Sequence, residues 1–415
     1  MNARRTVPMH LSARPVVRLI VAMLLPMCWT LPGDAQQTRA GIIEDQIADK
    51  ARQLHPYEPG TIEHVMLYVE EDNLLRRLSS GWEGWYPRLG GLTTGSGFAI
   101  GPGYRKYVGR DGVFDASGAA SPKSYRAVEA TLRLPSLAGD RLAPEISARY
   151  RHYPQERFFG VGRSSRRTDR VSYLFEDVTT AAGVALWPTS PLRGGVRLGY
   201  VTTNIGSGSG RFPSIDTVFA AADIPGLADA PDYLFAEGHI ELDYRDFPGN
   251  PRSGGHYRLA VSTHGDRSTE QYGFRRIDAS AMQLFPFLDQ RRVIAFRALV
   301  ALTDTDAGNE VPFYLMPFAG GPDTLRGFRE RRFTDRNLLV LNAEYRYEVF
   351  AALDMALFVD AGTVGPRAGD LSLGDLHTDY GIGFRFGTRA NLILRFDVGL
   401  GGEGTRYFFT FGPAF

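Results

Sequence analysis

Eight histidines, one cysteine and scattered serines are the residues of this chain with most capacity for chemistry, and their spacing argues against most of it. The histidines are His10, His55, His64, His152, His239, His256, His264 and His377, and none falls in a HExxH-type zinc pattern. No GxSxG nucleophile elbow occurs. Ser253 with His256, or Ser262 with His264, could be imagined as the nucleophile and base of a lipid-rim phospholipase, which needs only a Ser, a His and a polar orienter. Isolated histidines on strand surfaces are more often interfacial residues, so the expectation is no enzyme, no cofactor and no metal site. Gly95, Gly97, Gly101 and Gly103 imitate a nucleotide-binding glycine loop, but no strand–loop–helix context follows them. The one cysteine, Cys28, lies in a presumed export signal, which excludes a disulfide framework or a Cys-based metal site from the mature chain.

The elements that would position such residues begin with that signal. Arg4, Arg5, Arg14 and Arg18 form a basic region, Leu19 to Leu25 a short apolar core, and Gly33-Asp34-Ala35 a small-residue cleavage site, so residues 1–35 read as a signal peptide. Leu25-Pro26-Met27-Cys28 loosely matches a lipoprotein site, with Met27 too large for the usual position; lipidation of Cys28 is the open alternative. A membrane helix needs about 20 apolar residues, and no stretch is that long, so any later membrane crossing must use strands. Residues 36–90 read as a partly helical periplasmic leader: Ile42, Ile43, Ile47, Ala48 and Ala51 have helical spacing, and a second helix is expected near 61–78, beyond Pro56 and Pro59. The formal net charge of +1 gives no reason to expect nucleic acid as a partner. Charged residues at 22% and hydrophobic ones at 43% resemble a soluble protein, but a transmembrane barrel falls in the same range because half of each strand faces a polar lumen.

From about Gly91 onward the polarity period is two. Asn342, Glu344, Arg346 and Glu348 alternate with Ala343, Tyr345, Tyr347 and Val349, and the same pattern runs through 240–245, 381–386 and 392–400. Strands are expected near 91–99, 102–108, 111–120, 124–137, 142–154, 170–187, 192–204, 233–247, 255–265, 270–285, 291–304, 336–350, 352–362, 377–388, 390–400 and 404–415, sixteen in all. Tight links near Gly139, Ser190, Asn250, Leu288, Ala351 and Thr388 fall at one end and long links near 155–169, 205–232, 305–335 and 363–376 at the other, as in transmembrane barrels. The fold class is therefore all-β: a 16-stranded antiparallel transmembrane barrel over residues 91–415. Tyr407, Phe409, Phe411 and Phe415 share one face of the last strand, an ending that outer-membrane barrels use as an assembly signal. So apolar an edge invites aggregation unless it pairs with the first strand to close the barrel.

Residues 91–415 resemble the BamA/TamA family, the bacterial surface antigen barrels of outer-membrane assembly and translocation. The resemblance rests on Gly320-Gly321-Pro322-Asp323-Thr324-Leu325-Arg326-Gly327-Phe328, similar to the family's sixth outer loop, and on Phe358-Val359-Asp360-Ala361-Gly362, similar to its Phe-x-Asp-x-Gly strand motif. Gly381 to Arg385, Leu394 to Gly399 and Arg157 to Gly162 add to it. It implies a Gram-negative outer-membrane protein that assists insertion or translocation of protein or lipid, with membrane lipid and the barrel assembly machinery as partners. The leader is too short for full periplasmic POTRA modules, so residues 36–80 could instead dock a separate periplasmic partner. The alternative is a passive channel or structural barrel with an internal loop plug. Strand parity places Phe358, Asp360 and Gly362 on the lumen side, where Arg326 could pair bidentately with Asp360 and Gly327 could permit a tight turn. Leu325 and Phe328 would complete this loop-to-wall lock, either as a structural plug or in substrate handling. Gly95, Gly97, Gly101 and Gly103 could weaken a lateral seam against the last strand, or could simply serve hairpin turns and aromatic clearance.

Overall fold

The computed structural model describes residues 83–350 and 352–411. The signal peptide, residues 36–82 of the leader with its two expected helices, and Phe415 lie outside the described residues. The strands are β1 (Gly84–Gly90), β2 (Ala99–Val108), β3 (Gly112–Ala120), β4 (Arg126–Arg133), β5 (Leu142–Phe158), β6 (Val171–Leu186), β7 (Leu192–Ser207), β8 (Tyr233–Asp243) and β9 (Gly254–Asp266). They continue with β10 (Phe274–Phe287), β11 (Arg292–Thr305), the two-residue β12 (Phe318–Ala319) and β13 (Phe333–Thr334), then β14 (Asn337–Phe350), β15 (Leu353–Gly365), β16 (His377–Gly387), β17 (Leu392–Gly401) and β18 (Gly404–Phe411). One antiparallel sheet of sixteen strands runs in sequence order from β1 to β18, omitting only the β12–β13 pair.

The two faces of this sheet are inverted relative to a soluble protein. Val196, Leu198, Leu357, Val359, Tyr380, Phe409 and Phe411 point out and are exposed, while Arg326, Glu344, Asp360, Arg385, Arg395 and Asp397 are buried. An exposed apolar band around a charged interior is stable only where lipid surrounds it, and a β-sheet crosses lipid only if nearly all its backbone groups are paired.

The second to sixteenth expected strands coincide with β2–β11 and β14–β18 within a few residues. The first does not. The strand expected at 91–99 is a loop, and β1 lies at 84–90, inside the segment assigned to the leader. Gly90, Gly95 and Gly97 sit at φ +133°, +90° and +83°, in a region where the chain leaves the extended conformation. Among the described residues the barrel therefore starts at Gly84 rather than at residue 91.

The expected pairing of first and last strands is also absent: no ladder joins β1 to β18 among the described residues. Pro87 lies in the middle of β1, opposite Pro102 of β2. Proline has no N–H to donate and is confined to sheet edges, so β1 is suited to remain one.

Four buried apolar clusters occur among the described residues, and two of them frame the lumen loop. At the long-loop end, Phe158, Tyr173, Ile215, Phe313 and Tyr314 belong to an aromatic dome. Deeper, Leu325, Phe328, Phe333, Leu338 and Val340 pack the β11–β14 loop against the wall.

Candidate functional site

The chain from Asp306 to Arg336 leaves β11, enters the lumen and returns as β14. Its base is stapled where β12 pairs β13, Phe318 facing Thr334. Gly320 and Gly321 turn the chain at φ +112° and +105°, and the Gly320 N–H donates to Thr324 Oγ1 at 2.8 Å. This turn delivers Leu325, Arg326, Gly327 and Phe328 to the wall, all four buried.

Arg326 meets the wall with every face of its guanidinium. Nε and Nη2 donate side-on to the two oxygens of Asp360 on β15, each at 2.8 Å, and the Arg326 backbone N–H adds a third bond at 3.1 Å. Nη1 donates to Glu344 on β14 at 2.6 Å. The ring of Phe358 lies 3.5 Å from the guanidinium carbon. A planar, forked cation can satisfy two carboxylates and a ring at once, which a lysine cannot.

The network extends beyond the pair that sequence reasoning singled out. Glu344 also accepts from Arg346 at 2.8 Å and from Arg385 on β16 at 3.0 Å. Arg385 donates to Asp397 on β17 at 2.7 Å, and Arg395 contacts the other Asp397 oxygen at 3.0 Å. Asn342 donates to Asp360 and to the loop carbonyl of Thr324, both at 2.8 Å. Asp379 stands opposite Asp360 in the β15–β16 ladder, with both oxygens buried beside the Gly327 backbone. The available signal for Glu344, Arg385, Arg395 and Asp397 was charge on the lumen-facing positions of consecutive strands. Alternation reveals that face but not which charges meet across strands.

Gly327 sits in the tight turn expected there, in which the Phe328 N–H donates to the Leu325 carbonyl at 3.1 Å. Its φ is not left-handed, and it also provides close approach. A Cβ there would lie 2.4 Å from the Asp379 Cβ and 2.8 Å from the Gly401 N. A Cβ on Gly399 would likewise fall 2.2 Å from the Arg326 carbonyl oxygen. Gly362 leaves room for Leu325, whose methyl is 3.3 Å from where a Cβ would stand. Missing side chains on both partners let loop backbone lie on wall backbone.

The histidine–serine pairs considered from sequence do not assemble. His264 is stacked between Phe274 and Phe235, at 4.5 and 5.8 Å, and His256 contacts Glu241 at 3.2 Å. Glu241, Asp243 and His256 offer ligand atoms within 4.8 Å of one another. Asp243, however, is already held through both oxygens by Arg245 at 2.8 Å, so a guanidinium supplies the positive charge there.

The four glycines near the N-terminal edge divide into two pairs. Gly95 and Gly97 lie in the β1–β2 loop and line a cavity between that loop and β18. Gly101 and Gly103 lie one strand in, on β2, where added Cβ atoms would strike the Gly118 carbonyl and the Tyr86 ring. Tyr407, Phe409 and Phe411 point outward on β18.

A family model described as the Omp85 superfamily domain matches residues 113–413. Among solved structures, the chain is similar to BamA from Haemophilus ducreyi lacking POTRA domains 1–3, at 14% identity and a TM-score of 0.58, covering 88% of this chain and 81% of that one. It is also similar to CdiB from Escherichia coli, at 13% identity and a TM-score of 0.50, covering 80% of this chain and 60% of that one. At such identities the likeness is one of fold. No curated protein matches by sequence.

Proposed function

The chain belongs to the Omp85 superfamily, as an insertion or translocation barrel in the outer membrane of a Gram-negative bacterium, and from that premise we propose that the ion network around Arg326 is its working part. In this reading the loop 306–336 is the barrier in the lumen and the network is its latch. Protein or lipid is the cargo, residues 36–80 meet a periplasmic partner, and no catalytic step or cofactor is involved. Tyr407, Phe409, Phe411 and Phe415 serve recognition by the barrel assembly machinery during biogenesis.

The observation that carries this reading is the full burial of Arg326 against two carboxylates contributed by different strands. A buried ion network offers little stability over a well-packed apolar one, but breaking one partner is costly. It therefore suits an element that must hold one position firmly and be released as a unit. Single-channel conductance in planar bilayers tests the reading. The intact chain should be nearly closed, a variant lacking 318–332 should form a large steady pore, and Arg326→Ala should flicker between the two. Steady conductance in the intact chain, unchanged by the deletion, would replace this reading with that of a passive channel.

A further inference from the structure

Near the long-loop end of the unpaired edge, positive charge is not balanced. Arg157 of β5, Arg170 before β6, Arg329 of the lumen loop and Arg406 of β18 are all half-buried. Unlike Arg326, Arg332 or Arg385, they form no ion pair with a carboxylate among the described residues. Arg170 stacks on Phe212 at 3.4 Å, and its Nε is buried without an acceptor. Arg406 donates only to the carbonyls of Thr405 and Glu403, and its Nε is likewise unsatisfied. Burial first, and then the neighbouring Arg157, Arg329, Arg211 and Arg406, push the Arg170 guanidinium down from its ordinary value. The same two causes act on Arg329, with Arg406, Arg167 and Arg157 as its neighbours.

Three of these arginines, Arg157, Arg329 and Arg406, line a cavity of about 730 Å³ between the β1–β2 loop, the lumen loop and β18, and Arg170 stands behind them. Lys123, Arg157, Arg329 and Arg406 line it, and Glu330 is its carboxylate. Burial pushes Glu330 up to about 7, so its countercharge is incomplete at neutral pH. The β18 rim of the cavity is apolar, with Phe409 and Phe411 69% and 65% exposed on the lipid-facing side. A ligand that fits must therefore carry several negative oxygens at one end and a greasy body at the other. Guanidinium forks match phosphate oxygens bidentately, and an anion would relieve the mutual repulsion of the four arginines.

We propose that this cavity binds the phosphate-bearing headgroup of an anionic membrane lipid, whose acyl chains lie along the outer face of β18. The proposal rests on placement in the outer membrane and not on which cargo the barrel handles. The bound lipid would sit against the free edge, where β1 and β18 share no ladder among the described residues.

The test uses the full chain in non-ionic detergent, titrated with diphosphorylated lipid A, its phosphate-free form and inorganic phosphate, and followed by thermophoresis. Lipid A should bind, the phosphate-free form should bind at least about tenfold more weakly, and inorganic phosphate should not displace the lipid. The triple variant Arg157→Gln/Arg329→Gln/Arg406→Gln should lose about tenfold or more in affinity. Equal binding by the triple variant overturns the proposal, and displacement by inorganic phosphate turns the cavity into a free-anion site. If the triple variant does not fold, as judged by heat-modifiable electrophoretic migration, the single variant Arg406→Gln and the salt dependence of the native chain decide. Affinity should fall for the one and fall steeply with ionic strength for the other, and indifference to both overturns the idea. A failed conductance experiment with lipid binding intact would count against the latch alone.

Discussion

Arg326 in the lumen loop and Phe313 in the dome above it are both buried inside the barrel, yet their surroundings share almost nothing. Phe313 stands among rings, 4.8 Å from Phe158 and 4.9 Å from Tyr173, with Ile215 and Tyr314 in the same cluster. Arg326 stands among carboxylates held by further arginines, with only Phe358 as an apolar face. The dome is held by many small, non-directional contacts, so trimming it weakens it by degrees. The latch is held by a few directed bonds between desolvated charges, each depending on the others. Both lie inside the same barrel, but only the latch should fail abruptly when one group is changed.

The contrast is sharpest for the removal of one charge. Arg326→Ala or Asp360→Ala should each cost about 3–5 kcal/mol in urea unfolding, because the remaining charge stays buried without its partner. The double variant should cost less than the sum of the two. Exchanging the charges, Arg326→Asp with Asp360→Arg, should rescue only partly, since an aspartate at 326 would face Glu344. Full additivity in the double variant would dissolve the distinction between latch and dome.

A smaller effect tests whether the latch needs contact between backbones. Gly399→Ala places a methyl against the Arg326 carbonyl, and overpacking of this kind costs about 1–3 kcal/mol. It should also raise conductance, whereas an equal loss of stability in the dome should not.

In the dome, Ile215→Val should cost only about 0.5–1.5 kcal/mol and leave conductance closed. A loss as large as that of Arg326→Ala would mean that the dome is as cooperative as the latch.

The smallest effect is expected where the chemistry of the latch recurs in water. Arg133 and Glu145 form an ion pair at 3.0 Å on the β4–β5 wall, with half of the arginine side chain exposed. Arg133→Ala should change stability by less than about 1 kcal/mol, since solvent screens the pair and hydrates what is left. A loss comparable with that at Arg326 would show that burial is not what separates the two.

Much of this architecture was legible from alternation alone. Strands β2–β11 and β14–β18 could be read because each has one greasy and one polar face, and the end holding the long connections could be read from their lengths. The first strand was misplaced because β1 is short and carries Pro87, whereas the glycine-rich stretch after it looked more like a strand edge than a loop. The pairing of Arg326 with Asp360 was accessible through a resemblance in motif and through parity. Glu344, Arg385 and Asp397 were visible only as polar positions, since nothing local says that β14, β16 and β17 chain their charges together behind one loop residue.

By itself the sequence determined the period of two, the sign of each face, the lengths of the connections and the apolar last strand. These are local properties, set by the pleat and by the cost of leaving backbone groups unpaired in lipid. Only the tertiary structure decided that β1 and β18 share no ladder among the described residues, that the turn at Gly327 lies against Gly401, and that four arginines gather unbalanced beside the free edge. Those outcomes depend on curling a sixteen-stranded sheet around its lumen, which brings into contact residues separated by most of the chain, and no local pattern encodes such a meeting.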